Sequence, residues 1–392
     1  MQEGSKEDPN IRVLINAITI TDGGGLVVLK KTLEHLSQVA NHVTWYVVTN
    51  QSILSALTLS SGVKGIACNW ARKSPLHLIF WYEKTLPKLL KKINANLFLS
   101  YTNFLPRRSL ACPTMLLCHN AGYFSDHFTQ LCSKWHPAWK DVFLWQQKKQ
   151  WAYFYLKRAD RVMVQTQALA DAILSTVKVD SKKISVIPHG CGLLDKQLYQ
   201  ARLFPTHTMW RIGYVTTFGV QKDFETAFKA IAILKQQNIQ AKLILTLDPA
   251  HNTYRPIAYQ INQYGIHDRV ENAGYIHHSD AIEKLYESLD LFIFPSIIES
   301  FGFTLVEAMA CGLPVIASDS ASNKEMAREA GYFFPIGEAD GLAKHIIQMM
   351  HNPAEYGFAS AKSLIRAKAF CWHKTAQQLM QLINSSQLNI VH

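Results

Sequence analysis

The chain has 392 residues, of which 48% are hydrophobic and 18% charged. It is too long for one ordinary core and too apolar for a disordered chain, so two domains of roughly 150–200 residues each are expected. The net charge of +11 sits wholly in the first half: residues 1–190 hold 23 Lys/Arg against 11 Asp/Glu, the remainder 17 against 18.

The opening "MQEGSKEDPNIRVLINA" carries acids before its first apolar run, so it does not read as a signal peptide. "IRVLINAIT" (11–19) reads as a buried strand. A glycine run leads into the helical pattern "GGGLVVLKKTLEHLSQVA" (23–40), and "HVTWYVVTN" (42–50) is the next strand. "ANLFLSY", "TMLLCHN", "RVMVQT" and "KISVIPHG" carry the series to Gly190. Buried strands alternating with helices argue for a parallel α/β sheet.

A second series starts at "WRIGYVTTFG" (210–219). The helix "DFETAFKAIAILKQQ" places Phe224, Ala227, Phe228, Ile231 and Leu234 on one face. "AKLILTLD", "RVENAGYI", "DLFIFPS" and "PVIAS" are further strands, with "SDAIEKLYESL" a helix. The fold class is therefore α/β, with two Rossmann-like halves: residues 1–190, a linker over 191–208, and a second domain over 209–368. No window reaches about 18 consecutive apolar residues, so no membrane span is expected. The seven cysteines, without a CxxC pair, speak against a disulfide framework or zinc site and for a reducing, cytoplasmic setting. No RNP, zinc-finger or helix-turn-helix pattern points to nucleic acid.

"PSIIESFGFTLVEAMACGLPVIASD" (295–319) holds Glu299 and Glu307 with seven residues between them. A strand ends at its start, and "TLVEAMAC" is a helix closed by Gly312 and Pro314. The turn between them offers the N–H groups of about Gly302 to Thr304 as an anion site, and Gly302 permits close backbone approach. Strand ends in an open α/β sheet are where ligands bind. Two acids flanking a phosphate, each able to accept from sugar hydroxyls, describe a sugar nucleotide. A dipole-favoured helix acid and a solvated loop acid are the plainer readings of Glu307 and Glu299.

This stretch resembles the E-x7-E signature of retaining glycosyltransferases of family four, which have the GT-B fold. "RADRVMVQTQALADAI", "KISVIPHGCG" and "AFCWHKTAQQLMQLI" resemble further parts of that family. The resemblance implies two parallel sheets facing an interdomain cleft, with residues 369–392 forming a C-terminal helix that crosses back to the N-terminal domain. It implies transfer of a hexose-type sugar, with retention, from a UDP- or GDP-linked donor to a glycan or lipid-linked acceptor, in cell-surface polysaccharide or lipopolysaccharide assembly. No cofactor or metal is implied, and the sequence offers no D-x-D cluster.

Under the same resemblance Glu307 would hold the ribose hydroxyls, Glu299 would contact the donor sugar, and the backbone of Phe301, Gly302, Phe303 and Thr304 would hold the diphosphate. Lys222 matches a family lysine on the diphosphate, whereas the neighbouring family arginine is Thr217 here and a glycine is Thr216. One bidentate phosphate grip is thereby lost. His119 matches a histidine near the reacting carbon, and Gly23, Gly24 and Gly25 a glycine loop bordering phosphate and acceptor. Asp248 replaces a further glycine. A non-catalytic sugar-nucleotide binding subunit and another GT-B enzyme, such as an epimerase or phosphorylase, are the alternatives. Segments 75–95 and 133–161 mix aromatics with lysines. They read either as core aromatics with solvated lysines or as a peripheral contact with an anionic membrane.

Overall fold

The computed structural model describes residues 11–40, 42–135, 139–192, 200–276 and 279–388. Two compact units emerge. Unit 1 comprises Met1–Phe124, Trp139–Gly190 and Cys371–His392, and unit 2 comprises Ser125–Ala138 and Cys191–Phe370.

Unit 1 is built on seven strands: β1 (Ile11–Asn16), β2 (Val43–Thr49), β3 (Val63–Ala67), β4 (Leu97–Ser100), β5 (Thr114–Leu117), β6 (Arg161–Val164) and β7 (Ile184–Val186). They pair in parallel in the order β3-β2-β1-β4-β5-β6-β7. All four β4 residues are buried, as expected where helices cover both faces of a parallel sheet. The C-terminal helix Trp372–Leu388 packs against the helix Gly23–Val39. It is also tied to the end of the sheet: Thr375 Oγ1 donates to the Pro188 carbonyl at 2.7 Å, and the Trp372 and His189 rings stack at 5.3 Å.

Unit 2 holds β8 (Trp210–Tyr214), β9 (Ala241–Leu245), β10 (Val270–Asn272), β11 (Leu291–Phe294), β12 (Val315–Ser318) and β13 (Gly331–Phe334). The parallel order is β10-β9-β8-β11-β12-β13. Chain order reverses direction between β8 and β11, and between β1 and β4 in unit 1. Such a switch point leaves a crevice at the carboxyl ends of the two strands. The helix Phe224–Gln236 buries Phe224, Ala227, Phe228, Ile231 and Leu234, the face read from its periodicity.

Three features differ from the sequence reading. β3 and β13 were not expected. Both are edge strands with half-exposed burial patterns, so neither shows the continuous apolar run of an interior strand. The helix Asp126–Trp135 groups with unit 2, although it lies inside the span 1–190 read as one domain. Of the expected linker 191–208, residues 193–199 lie outside the described residues, and the next stretch is pinned to unit 2. The Arg202 guanidinium donates to the carbonyls of Tyr286, Glu287, Leu289 and Cys311 at 2.8–3.0 Å. One fork thus satisfies several chain ends, which a pattern search for apolar periodicity does not register.

Candidate functional site

The site in unit 2 grows from the β8/β11 switch point. β8 runs into Thr216, which is buried and fixed to β9's end: its N–H donates to Thr246 Oγ1 at 2.9 Å, and that hydroxyl donates back to the Thr216 carbonyl at 2.9 Å. Thr217 follows, exposed. The chain then makes a short 3-10 turn, Val220–Lys222, and enters the helix at Asp223, whose φ of 45° is left-handed. Asp tolerates that region better than most residues. It also caps the helix, accepting from Thr226 N at 3.2 Å and Thr226 Oγ1 at 2.6 Å. Burial nevertheless raises the Asp223 carboxyl above its usual value.

The turn is held against the loop after β11. Ile297 N donates to the Gln221 carbonyl at 2.8 Å, and Tyr214 donates its hydroxyl to the Lys222 carbonyl. These ties aim Lys222 inward. Its Nζ lies 2.5 Å from Glu299 Oε1 and 5.5 Å from the centroid of the Phe294 ring. The two side chains are 14% and 13% exposed, so this is a partly buried ion pair rather than a surface one. The Glu299 loop has its own support: Ser322 Oγ accepts from Glu299 N at 3.3 Å, and the Ser296 carbonyl accepts from Ser318 Oγ at 2.5 Å and Asn323 Nδ2 at 3.0 Å.

Gly302 then starts the helix Phe303–Ala310 with φ +85°. The helix ladder begins with Leu305 N and Val306 N, both on the Gly302 carbonyl at 3.1 and 3.2 Å. The N–H groups of Gly302, Phe303 and Thr304 come before that ladder, the position from which helix starts bind anions. Glu307 is only 5% exposed and accepts from the Tyr286 hydroxyl at 2.9 Å. Lys222, Glu299, Gly302 and Glu307 thus all belong to two loops and one helix at the ends of β8 and β11. A cavity of about 290 Å³ borders the Val220–Lys222 turn, lined by Val220, Phe218, Asp223, Glu225 and Gln260 among others, and its lining includes neither glutamate of the motif. Asp248 is exposed beyond β9, where it accepts from Ala250 N at 2.9 Å and closes a turn.

In unit 1, His119 stands two residues past β5, half-buried, its N–H on Asn103 Oδ1 at 3.1 Å. Desolvation lowers its imidazole to about 4. Gly23 and Gly24 are exposed, and with Gly25 they form the first turn of the helix Gly23–Val39 rather than a separate loop before it. Gly23 has φ +60°.

The aromatic–lysine segments do not bury all their aromatics. The helix Trp139–Arg158 exposes Trp139 (72%), Phe143, Leu144, Trp151 and Phe154, with Lys140, Lys148, Lys157 and Arg158 exposed beside them. The helix Pro75–Phe80 likewise exposes Leu76 (76%), Ile79 and Phe80. Among the described residues no helix is long and apolar enough to cross a membrane, and no His/Cys/Asp/Glu group is placed to hold a metal ion.

Sequence reasoning passed over Tyr286, Asp223 and Thr246. Asp223 had a signal, since Asp just before an apolar helical run is a preferred N-cap. Tyr286 had none, because a tyrosine on the apolar face of "EKLYESL" reads as core.

Residues 195–368 match the family model described as Glycosyl transferases group 1, and residues 22–193 that described as Glycosyltransferase Family 4. Among curated relatives, the O-antigen chain mannosyltransferase B of Escherichia coli is 26% identical over 42% of this chain and 43% of its own length. The mannosylfructose-phosphate synthase of Agrobacterium fabrum is 24% identical over 58% of this chain and 53% of its own. The chain spans about half the length of these relatives. Among solved structures, sucrose-phosphate synthase from Thermosynechococcus elongatus superposes with a TM-score of 0.76 at 20% identity, covering 97% of this chain and 100% of that one. An Anabaena protein in complex with UDP and glucose gives 0.70 at 18% identity, covering 96% and 100%.

Proposed function

Because the chain belongs to the glycosyltransferases of family four and has their GT-B fold, we propose that it is a retaining hexosyltransferase working from a UDP- or GDP-linked donor without a metal ion. The observation that carries this reading is the grouping of the Lys222–Glu299 pair, the Gly302 helix start and the buried Glu307 at one switch point. As the bond from the anomeric carbon to the diphosphate breaks, negative charge grows on the leaving oxygens. The helix start and the Lys222 ammonium would take up that charge in place of Mg²⁺. An ammonium has three donors, so Lys222 can keep Glu299 and still reach a phosphate oxygen. Glu299 then faces the sugar and Glu307 the ribose hydroxyls.

The acceptor in this reading is a glycan or lipid-linked glycan of a cell-surface polysaccharide or lipopolysaccharide. The O-antigen activity named for the Escherichia coli relative supports that pathway. The exposed aromatic and basic face of the helix Trp139–Arg158 supports a peripheral contact with an anionic cytoplasmic leaflet, where aromatic side chains enter the interface and lysines meet the headgroups.

The test is thermal unfolding and sugar transfer or hydrolysis with a panel of UDP-, GDP- and ADP-sugars, with and without EDTA, for wild type and Glu307→Ala. A ligand at a hundredfold excess over Kd adds about 2.7 kcal/mol of stability. A shift with one nucleotide class, lost in Glu307→Ala, together with EDTA-resistant turnover, is the expected result. Turnover abolished by EDTA and restored by Mg²⁺ overturns metal independence. The second reading, a donor-binding subunit without catalysis, is favoured only by Thr217 standing where the family has arginine; binding without turnover would select it.

A further inference from the structure

Glu307 is a carboxylate in a place where carboxylates are costly, and its surroundings are built around it. On one side the Tyr286 hydroxyl donates to Oε2 at 2.9 Å, with the Thr304 carbonyl at a longer 3.3 Å. Tyr286 lies on the helix Ser279–Glu287, is fully buried, and packs its ring at 6.0 Å from that of Phe292. On the other side stands Gly192, with φ +55°, where any Cβ would collide with Glu307 Oε1. A phenylalanine would fill the space of the Tyr286 ring equally well. It is the hydroxyl of Tyr286, not its ring, that donates to the carboxylate.

We propose that Tyr286 is a positioning residue: its hydroxyl, set against the bare Cα of Gly192, locks the Glu307 carboxylate in one orientation and so determines how strongly the site separates ribonucleotides from nucleotides lacking ribose hydroxyls. This rests on the reading that Glu307 accepts from the ribose. A glutamate side chain loses rotamer freedom when it is fixed, and an acceptor already fixed in the free protein does not lose it again on binding. With Oε2 held by that donor, the lone pairs of the carboxylate point in defined directions. Burial and the adjacent Glu307 charge push the Tyr286 hydroxyl well above its usual value, so it remains a donor throughout the working pH range.

The experiment is calorimetric titration of the full chain with UDP and GDP, and with their 2′,3′-dideoxy forms, for wild type, Tyr286→Phe, Gly192→Ala and Glu307→Ala. In wild type the dideoxy form of the bound nucleotide should be weaker by about 10- to 100-fold, the worth of hydrogen bonds to a charged acceptor. In Tyr286→Phe and Gly192→Ala that ratio should shrink to about threefold. A purely structural role would weaken both forms together and leave the ratio unchanged. An unchanged ratio in Tyr286→Phe, whatever its thermal stability, overturns the positioning role and leaves the ribose reading standing. Discrimination that is absent in wild type, or that survives in Glu307→Ala, overturns the ribose reading and the positioning role with it.

Discussion

Lys222 Nζ lies 2.5 Å from Glu299 Oε1, and the two residues sit on loops that leave adjacent strands at the point where strand order reverses. Each side chain is mostly withdrawn from water, so removing one partner strands the other charge in a poorly hydrated place. Lys222→Ala and Glu299→Ala should each lower stability by about 2 kcal/mol. The double variant should lose less than the sum, leaving a coupling of about 1–2 kcal/mol. Urea unfolding of the four proteins measures this, and additive losses would show that the pair is not an energetic unit. For donor turnover, Lys222→Ala should lower kcat by at least about 100-fold, the scale of removing one group that stabilises charge in a transition state.

The two imidazoles of unit 1 make a prediction about pH. Burial holds His119 at about 4 and His189 at about 3, with the His119 charge a lesser cause for His189. In the unfolded chain both titrate near 6.5. Between about pH 4 and 6.5 the unfolded state therefore binds protons that the folded state refuses, and stability falls as pH falls through that window. Above pH 6.5 both states are neutral and the effect vanishes. His119→Gln should flatten the slope of stability against pH between 6.5 and 4.5, removing about 3 kcal/mol of the acid-induced loss at full titration. Urea midpoints across that range test it, and an unchanged slope would show that His119 protonates freely in the fold.

Gly302 begins its helix at φ +85°, and a Cβ there would sit 3.4 Å from the Phe294 ring. Gly302→Ala should cost about 1–2 kcal/mol, mostly from the left-handed backbone. If the N–H groups of this turn hold the donor phosphates, as proposed, loss of donor binding should exceed what the stability loss explains. Calorimetry below the melting range separates the two effects.

What the sequence disclosed and what it hid follow one physical division. Interior strands such as β4 and β11 are continuous apolar runs and were legible, as was the face of the helix Phe224–Gln236. β3 and β13 lie at sheet edges, where partial exposure dilutes the pattern. At the site, glycine, glutamate and lysine stood out by type and spacing. Their supports did not: Tyr286, Thr246 and Arg202 act through hydrogen bonds to residues distant in the chain, and such pairings leave no periodic trace in one chain. The membership of Asp126–Trp135 in unit 2 is likewise a matter of tertiary contact alone.

The exposed face of the helix Trp139–Arg158 predicts lipid behaviour. Wild type should sediment with vesicles containing an anionic lipid and not with neutral ones, less so at high salt. Phe143→Ser with Phe154→Ser should weaken that binding by about tenfold, as the loss of two inserted side chains implies. Turnover on a soluble acceptor should be unchanged. Equal sedimentation of the double variant would place any membrane contact elsewhere on the basic half.

Thr217 offers the last test, because it is exposed at the end of the β8 loop and adds no cation where the family has arginine. A guanidinium can grip a phosphate through two parallel hydrogen bonds, which neither threonine nor lysine can reproduce. If the diphosphate lies between this loop and the Gly302 helix start, Thr217→Arg should tighten donor binding by about threefold to tenfold, the worth of one partly exposed charge-assisted pair. The gain should fade with added salt. Calorimetry with UDP and GDP at two ionic strengths measures it. Weaker binding in Thr217→Arg would mean that the residue faces the sugar or the solvent instead, and that another cation already balances the phosphates.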